Sequence, residues 1–311
     1  MFVWLPYASL SQARDRLGPL PEGIEAAVAC RSAGLPEATA DRVEFFALPN
    51  FEVDLWPRVL ALEPPRLRWL QLASAGWDYI IDSVPERIGL VNAAGVHDTG
   101  TAELAVALAL ACLNGLDRYA RDRVQERFAP ADGDCLAGKR CLIVGYGRIG
   151  QAVEKRLRGF EAASVSRVAR RARTDPEVHA AADLPALLPA ADVVFVTAPA
   201  TPETAGLLGA AALALLPDRA LVVNVGRGAV VDTAALTAEV ACGRLRAALD
   251  VTDPEPLPAG HPLWRLDGVT WSPHVGGRSG AFPSRYDRFL ACQLQRLADG
   301  QDPDNIVRYP T

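Results

Sequence analysis

The chain has 311 residues, half of them hydrophobic, and a formal net charge of −5. That length can bury a large core and favours two domains, while the negative charge excludes a general attraction to nucleic acid or an anionic membrane. Charged residues are spread along the chain instead of being gathered into tails.

The opening, MFVWLPYASL, has no basic region and its apolar run is interrupted at Pro6, so no secretory signal is expected. Short apolar runs predict strands near residues 2–5, 26–29, 67–72 and 90–92, with Pro-rich loops at 19–21 and 64–65. One long apolar helix is predicted over 101–119, as the connector to a second unit; its longest apolar stretch, 104–113, is too short to cross a bilayer. From 139 to 275 strand and helix patterns alternate. Strands are predicted at 141–144, 164–168, 193–197, 221–225, 247–251 and 269–271. Ile149, Val153 and Leu157 mark one helix between them, and Asp232 is a good N-cap for another that stops at Gly243. Strands that are apolar almost throughout predict a parallel sheet covered on both faces, in a doubly wound α/β fold. A last helix over 282–297 is expected to return to the first unit. The expected domains are 1–95 plus 283–311 and 96–282.

The six cysteines contain no C-x-x-C and read as free buried thiols in a reducing cytoplasm. The four histidines have no metal-ligand spacing with them, so no metal is expected.

The strongest local motif is Gly145-Tyr146-Gly147-Arg148-Ile149-Gly150, between a strand and an amphipathic helix. In that context it predicts a dinucleotide site. Gly145 would permit the tight turn, Gly147 would let backbone N–H groups approach a pyrophosphate, and Gly150 would let helix pack on strand. The helix N-terminus would stabilise the phosphate charge. An NAD site would end the second strand with an acid; here the chain reads SVSRVARRAR, with no carboxylate before Asp175. A guanidinium binds a 2′-phosphate with paired hydrogen bonds, so Arg170, supported by Arg171, is assigned to NADP(H), with NAD(H) as the alternative cofactor.

Three further segments fall where later strands end: Val223 to Gly228, Ala248 to Leu257, and Ser272 to Gly277. Loops at the carboxyl ends of such strands share a ligand crevice. Together they could support hydride transfer to a keto acid. Arg227 can bind the carboxylate and polarise the carbonyl. His274 can give a proton to the carbonyl oxygen and take it back in reverse. Glu255 can orient the imidazole. Taken singly, each of these residues has a plain structural reading as a surface ion pair, a turn or a loop.

Together the motifs resemble the D-isomer-specific 2-hydroxyacid dehydrogenase family. They include the glycine loop, NVGRGAVVD, LDVTDPEPL, PHVGG, Ser74-Ala75-Gly76, Ala102-Glu103 and Thr201-Pro202-Glu203-Thr204. The resemblance implies two Rossmann-like domains with a cleft between them and a discontinuous substrate domain. It implies that Arg227, Glu255 and His274 are the catalytic set. Asp250 and the Val225 backbone should hold the nicotinamide carboxamide, with Thr101 and Gly276 nearby and Thr204 toward the adenosine. Arg148 and Ile149 belong to the cofactor loop. Backbone donors at Ala75 and Gly76 should meet the carboxylate of a small 2-keto acid, and a homodimer is expected.

The chain departs from the family at His97-Asp98, often Asn-Ser, and at Glu161, where a glycine commonly follows the aromatic. No C-terminal regulatory domain is expected. Two other readings fit the same fold: a dehydrogenase of another small anion, and a dinucleotide-sensing binding protein like the family's corepressors. Trp4, Leu5, Phe51, Trp77 and Tyr79 are candidate pocket side chains, as are Trp264 and Phe282.

Overall fold

The apolar run at the N-terminus becomes β1 (Phe2–Leu5) in the computed structural model, which describes residues 1–311. The chain divides into two units, residues 1–97 with 280–311, and residues 98–279.

In the first unit β1 is followed by α1 (Leu10–Leu17), β2 (Glu25–Val28), β3 (Val43–Ala47), α2 (Leu55–Leu60), β4 (Trp69–Gln71) and β5 (Gly89–Val91). Ser9 starts α1 by accepting the Gln12 N–H, as an N-cap serine does. The central strands bury both faces. Val3, Leu5 and Phe45 enter one core, while Phe2, Trp4 and Phe46 enter the other, as side chains alternating along a strand must. Trp4 and Leu5 are therefore core residues and not pocket walls. Strand β3 was not expected. Glu44 interrupts its apolar pattern, and the structure uses that carboxylate to accept the Phe2 N–H at 3.1 Å.

The second unit begins with α3 (Asp98–Asn114) and α4 (Leu116–Val124). These replace the single helix predicted over 101–119. Gly115 takes a left-handed conformation, φ 69°, and the helices bend there by 66°. No single helix is long and apolar enough to cross a membrane. There follow β6 (Arg140–Val144), α5 (Arg148–Leu157), β7 (Ser164–Ala169), β8 (Arg173–Thr174), β9 (Glu177–Ala180), α6 (Leu184–Leu187) and β10 (Val193–Val196). Then come α7 (Ala210–Ala214), β11 (Leu221–Asn224), α8 (Thr233–Ala241), β12 (Arg246–Leu249) and β13 (Val269–Trp271). Asp232 caps α8 by accepting the Ala235 N–H at 2.9 Å.

This sheet runs β13-β12-β11-β10-β6-β7-β9-β8, parallel except for β8 against β9. At its centre Val193 and Phe195 enter one core and Val194 and Val196 the other. Each such burial contributes about 1.5–3 kcal/mol, which is why the strand reads apolar at every position. Strands β8 and β9 escaped the sequence reading because Val178 is their single fully buried apolar residue amid charged, exposed neighbours. The chain then returns to the first unit as α9 (Phe282–Ala298) and β14 (Ile306–Arg308). The first sheet runs β14-β5-β4-β3-β1-β2, with β14 antiparallel at its edge. The fold is α/β with two Rossmann-like sheets.

The cysteines divide differently from the expectation. Cys30, Cys112 and Cys141 are buried, but Cys135, Cys242 and Cys292 are exposed, on a loop, at the end of α8 and on the outer side of α9. Burial pushes the Cys112 thiol up to about 11 and the Cys141 thiol to about 12, which leaves both protonated and unreactive.

Candidate active site in the second unit

Strand order places the glycine loop. Chain β6 lies at the centre of the sheet, β7 is added on one side of it and β10 on the other. The loop leaving β6 therefore opens at the point where the winding reverses, which is where open α/β sheets bind ligands. Gly145 has φ +100°, and a Cβ there would lie 2.4 Å from the Ala198 backbone nitrogen. A Cβ on Gly150 would lie 2.7 Å from the Gly145 carbonyl oxygen. Gly147 is different: a Cβ there meets nothing within 4 Å. It is the N-cap of α5, and no side chain caps the first N–H groups of that helix. Two glycines fit the backbone closely and one leaves room for a ligand, an arrangement that suits a dinucleotide pyrophosphate.

The loop is braced from below. The Tyr146 hydroxyl donates to Glu154 on α5, and Arg167 on β7 donates to the same carboxylate at 2.8 and 2.5 Å. Arg173 donates to the Tyr146 carbonyl at 2.8 Å, and both guanidinium groups lie 5.6 Å from the Tyr146 ring centre. Arg167 is thus neutralised by Glu154, whereas Arg170 and Arg171 are exposed just past the end of β7. A hydrogen bond from Thr201 holds the Glu203 carboxyl below the usual range, with a smaller contribution from the Arg170 charge.

Glu154 carries a testable consequence. The Arg167 guanidinium bonded to it pulls its carboxyl down to about 2 from an ordinary 4.5. A carboxyl depressed in the folded state contributes stability that is whole above its unfolded value and is lost as pH falls through the folded one. Glu154→Gln should therefore melt below wild type at neutral pH, with the gap closing as pH drops from 4.5 toward 2. Melting curves followed by circular dichroism across that range check this; a gap independent of pH contradicts it.

Three adjacent parallel strands deliver the other polar residues to the same sheet edge. Asn224, Leu249 and Trp271 are in register at the ends of β11, β12 and β13. Arg227 follows the first, Asp250 and Glu255 the second, and His274 the third. Asn224 is buried and shapes the Arg227 turn, accepting the Gly226 N–H at 3.1 Å and donating to the Arg227 carbonyl at 3.0 Å. Arg227 Nη1 donates to the Gly226 carbonyl at 2.9 Å. His274 Nδ1 lies 2.5 Å from Glu255 Oε1, and both side chains remain partly exposed. His274 has φ 51°, a left-handed conformation unusual for a residue with a Cβ, and one that clusters at functional sites.

Asp250 holds that conformation. Its buried carboxylate accepts from the Ser272 hydroxyl at 2.6 Å, the Val275 N–H at 2.8 Å and the Gly276 N–H at 2.9 Å. Its carbonyl accepts the His274 N–H at 2.8 Å. Thr101 Oγ1 donates to the Gly276 carbonyl at 3.2 Å, tying the start of α3 to the same loop. The Val225 N–H is taken by Val196 at 3.1 Å. Thr204 donates to Pro199 at 2.6 Å and so closes the turn after β10. Arg148 turns its side chain to Asp98 at 2.8 Å, which leaves its backbone N–H as its offering at the helix start. Ile149 packs into the core beneath. Glu161 adopts φ 55°, the conformation a glycine would take without strain.

In the first unit, Ala75 and Gly76 lie in the turn after β4. Phe282 is buried in that unit's core, while Phe51, Tyr79 and Trp264 are exposed on their own units. Asn224 and Ser272 lay within the segments marked by the sequence but were given no role there; an Asn closing an apolar strand and a Ser two residues before His274 were the available signals.

Residues 106–276 match the family model described as D-isomer specific 2-hydroxyacid dehydrogenase, NAD binding domain. The chain is 33% identical to a glyoxylate reductase of Thermococcus litoralis over 85% of its own length and 84% of that protein's. It is 32% identical to a D-3-phosphoglycerate dehydrogenase of Archaeoglobus fulgidus over 79% of its own length, but spans only 48% of that longer chain. Among solved structures, a D-isomer specific 2-hydroxyacid dehydrogenase from Xanthobacter autotrophicus, in complex with NADPH and MES, superposes with a TM-score of 0.78 at 26% identity. That match covers 98% of this chain and 97% of the other.

Proposed function

The chain belongs to the D-isomer-specific 2-hydroxyacid dehydrogenase family of oxidoreductases, and from that premise we propose that it interconverts a small 2-keto acid and its D-2-hydroxy acid with NADP(H). The observation that carries this reading is the Glu255–His274 pair, on loops leaving the same sheet edge as the Arg227 turn. Arg227 binds the substrate carboxylate and polarises the adjacent carbonyl with a permanent charge. Because Glu255 occupies Nδ1, His274 is left with Nε2 to pass a proton to the carbonyl oxygen during reduction. Glu255, hydrogen-bonded to Nδ1, fixes the ring plane. In this reading the backbone N–H groups of Ala75 and Gly76 are further donors to the carboxylate. The nicotinamide, when bound, supplies the hydride. The glycine loop and the start of α5 hold its pyrophosphate, with Thr204 on the adenosine side. Asp250, Gly276, Thr101 and the Val225 backbone form the carboxamide end.

A 2-keto acid screen that includes glyoxylate and hydroxypyruvate, run with each cofactor, tests the reading directly. No turnover with any of them would remove it. The NADP preference rests on Arg170 and Arg171, with the relative bound to NADPH as support. Arg170→Ala should raise KM for NADPH by ~10-fold or more, the scale of a lost charged hydrogen bond, while NADH changes little. Equal losses for both cofactors would give Arg170 a structural role instead. A homodimer and a cytoplasmic location go with this reading. Leu116, Val124 and Phe128, on and after α4, are exposed large hydrophobic side chains that a second copy would cover in such a dimer.

A further inference from the structure

The turn after β4 is fastened by its carbonyls. His97 Nε2 lies 2.7 Å from the Ala73 carbonyl oxygen. The Ala93 N–H donates to Ser74 at 2.8 Å, Asn92 Nδ2 donates to Ala75 at 2.9 Å, and the Ser74 hydroxyl donates to Gly76 at 2.7 Å. Four successive carbonyls are thus drawn to partners inside the first unit. In a planar trans peptide the C=O and the next N–H point in opposite directions. Tying down the carbonyls of Ala73, Ser74 and Ala75 therefore turns the N–H groups of Ser74, Ala75 and Gly76 the other way. Successive N–H groups presented together make a concave donor set for an anion.

His97 is built in more firmly than a loop histidine needs to be. It is only 8% exposed, and its ring stacks on Phe282 with centroids 4.9 Å apart. Phe282 stacks in turn on Tyr286 at 5.2 Å, and the Tyr286 hydroxyl donates to the Leu48 carbonyl, just past β3, at 2.9 Å. Tyr7, just past β1, donates to Asp287 at 2.8 Å. The first turns of α9 therefore grip the chain beyond β1, β3 and β4 together, with His97 as the link to the last. A carbonyl can only accept, so Nε2 carries the proton in this contact.

We propose that His97, helped by Asn92, is a positioning residue that aims the N–H groups of the 74–76 turn at the substrate carboxylate. This rests on the reading of Ala75 and Gly76 as carboxylate donors. It also gives a role to the first half of the His97-Asp98 pair.

His97→Leu keeps the bulk but removes the donor. It should raise KM for glyoxylate by about fivefold to tenfold, the scale of one lost hydrogen bond at a donor set, with kcat and NADPH affinity near wild type. Amide hydrogen exchange in residues 73–77 should quicken in the same variant, whatever the turnover. His97→Gln, whose side-chain amide can reach the same carbonyl, should restore both. A leucine variant with wild-type KM, unchanged exchange, or the same loss in the glutamine variant overturns the proposal. If the leucine variant does not fold, Asn92→Ser should show the same KM-only pattern, and a wild-type KM there is equally fatal. A wild-type protein that neither reduces glyoxylate nor binds oxamate overturns the carboxylate reading itself, and this proposal with it. The exchange measurement tells the two failures apart, because it reports on the turn alone.

Discussion

His274→Ala is expected to lower turnover of the keto acid by ~10²–10⁴, the usual worth of a positioned acid–base group, with NADPH binding nearly intact. The two halves separate because the imidazole and the cofactor loop are held by different elements. His274 follows β13, at one end of the strand order, while the glycine loop follows β6. One complication is local. At φ 51° an alanine is strained where histidine or asparagine is better tolerated. His274→Asn is therefore the partner variant, since it relieves the backbone and still lacks the proton donor. Both should lose turnover to a similar extent. Single-turnover rates, with NADPH titrated by its fluorescence in the same samples, check the separation. Normal turnover in the asparagine variant would take His274 out of the mechanism.

The contrast between what was legible in the sequence and what was not follows from the range of the forces involved. Parallel strands buried on both faces read as near-continuous apolar runs, so β10, and β11 as far as Asn224, were visible from their apolar runs. The glycine loop was legible because a Cβ at Gly145 or Gly150 would lie 2.4 or 2.7 Å from backbone atoms, so only glycine fits there. Edge strands obey a weaker rule. β8 and β14 lie at sheet edges and β9 next to one; all three are partly or wholly exposed, and their sequences carry almost no pattern. Gly115 could have been read as a helix break, but the apolar run on its N-terminal side masked it. Asp250 shows a subtler limit. Its motif marked it as a cofactor residue, yet no pattern could say that its carboxylate accepts three hydrogen bonds from the His274 loop. Such contacts join residues 22 to 26 positions apart, and only the strand order β12-β13 brings them together. Arg167 was written in the basic stretch beside Arg170, but its neutralisation by Glu154 depends on α5 packing against β7.

Gly228→Ala should be the most damaging change that touches no reactive group. An alanine Cβ at this position would lie 2.0 Å from the Thr252 carbonyl oxygen and 2.6 Å from the Asp253 nitrogen. Both are backbone atoms, so no rotamer change can relieve the clash. The turn that carries Arg227 and the segment that leads into Glu255 are packed main chain to main chain, and one methyl group forces them apart by more than an ångström. Overpacking of this kind destabilises by about 1–3 kcal/mol, so Tm should fall by several degrees without loss of the fold. The larger effect should be on chemistry. Displacing a positioning group by about 1 Å can lower the rate by ~10²-fold, and here the shift falls between the guanidinium and the carboxylate that orients His274. NADPH binding should suffer less, because the glycine loop packs on Ala198 and not on Thr252. The diagnostic result is a kcat/KM near one-hundredth of wild type in a protein whose melting remains cooperative. If activity survives at wild-type level, the Arg227 and Glu255 loops do not act as a unit, and the geometry behind the proposed chemistry is wrong.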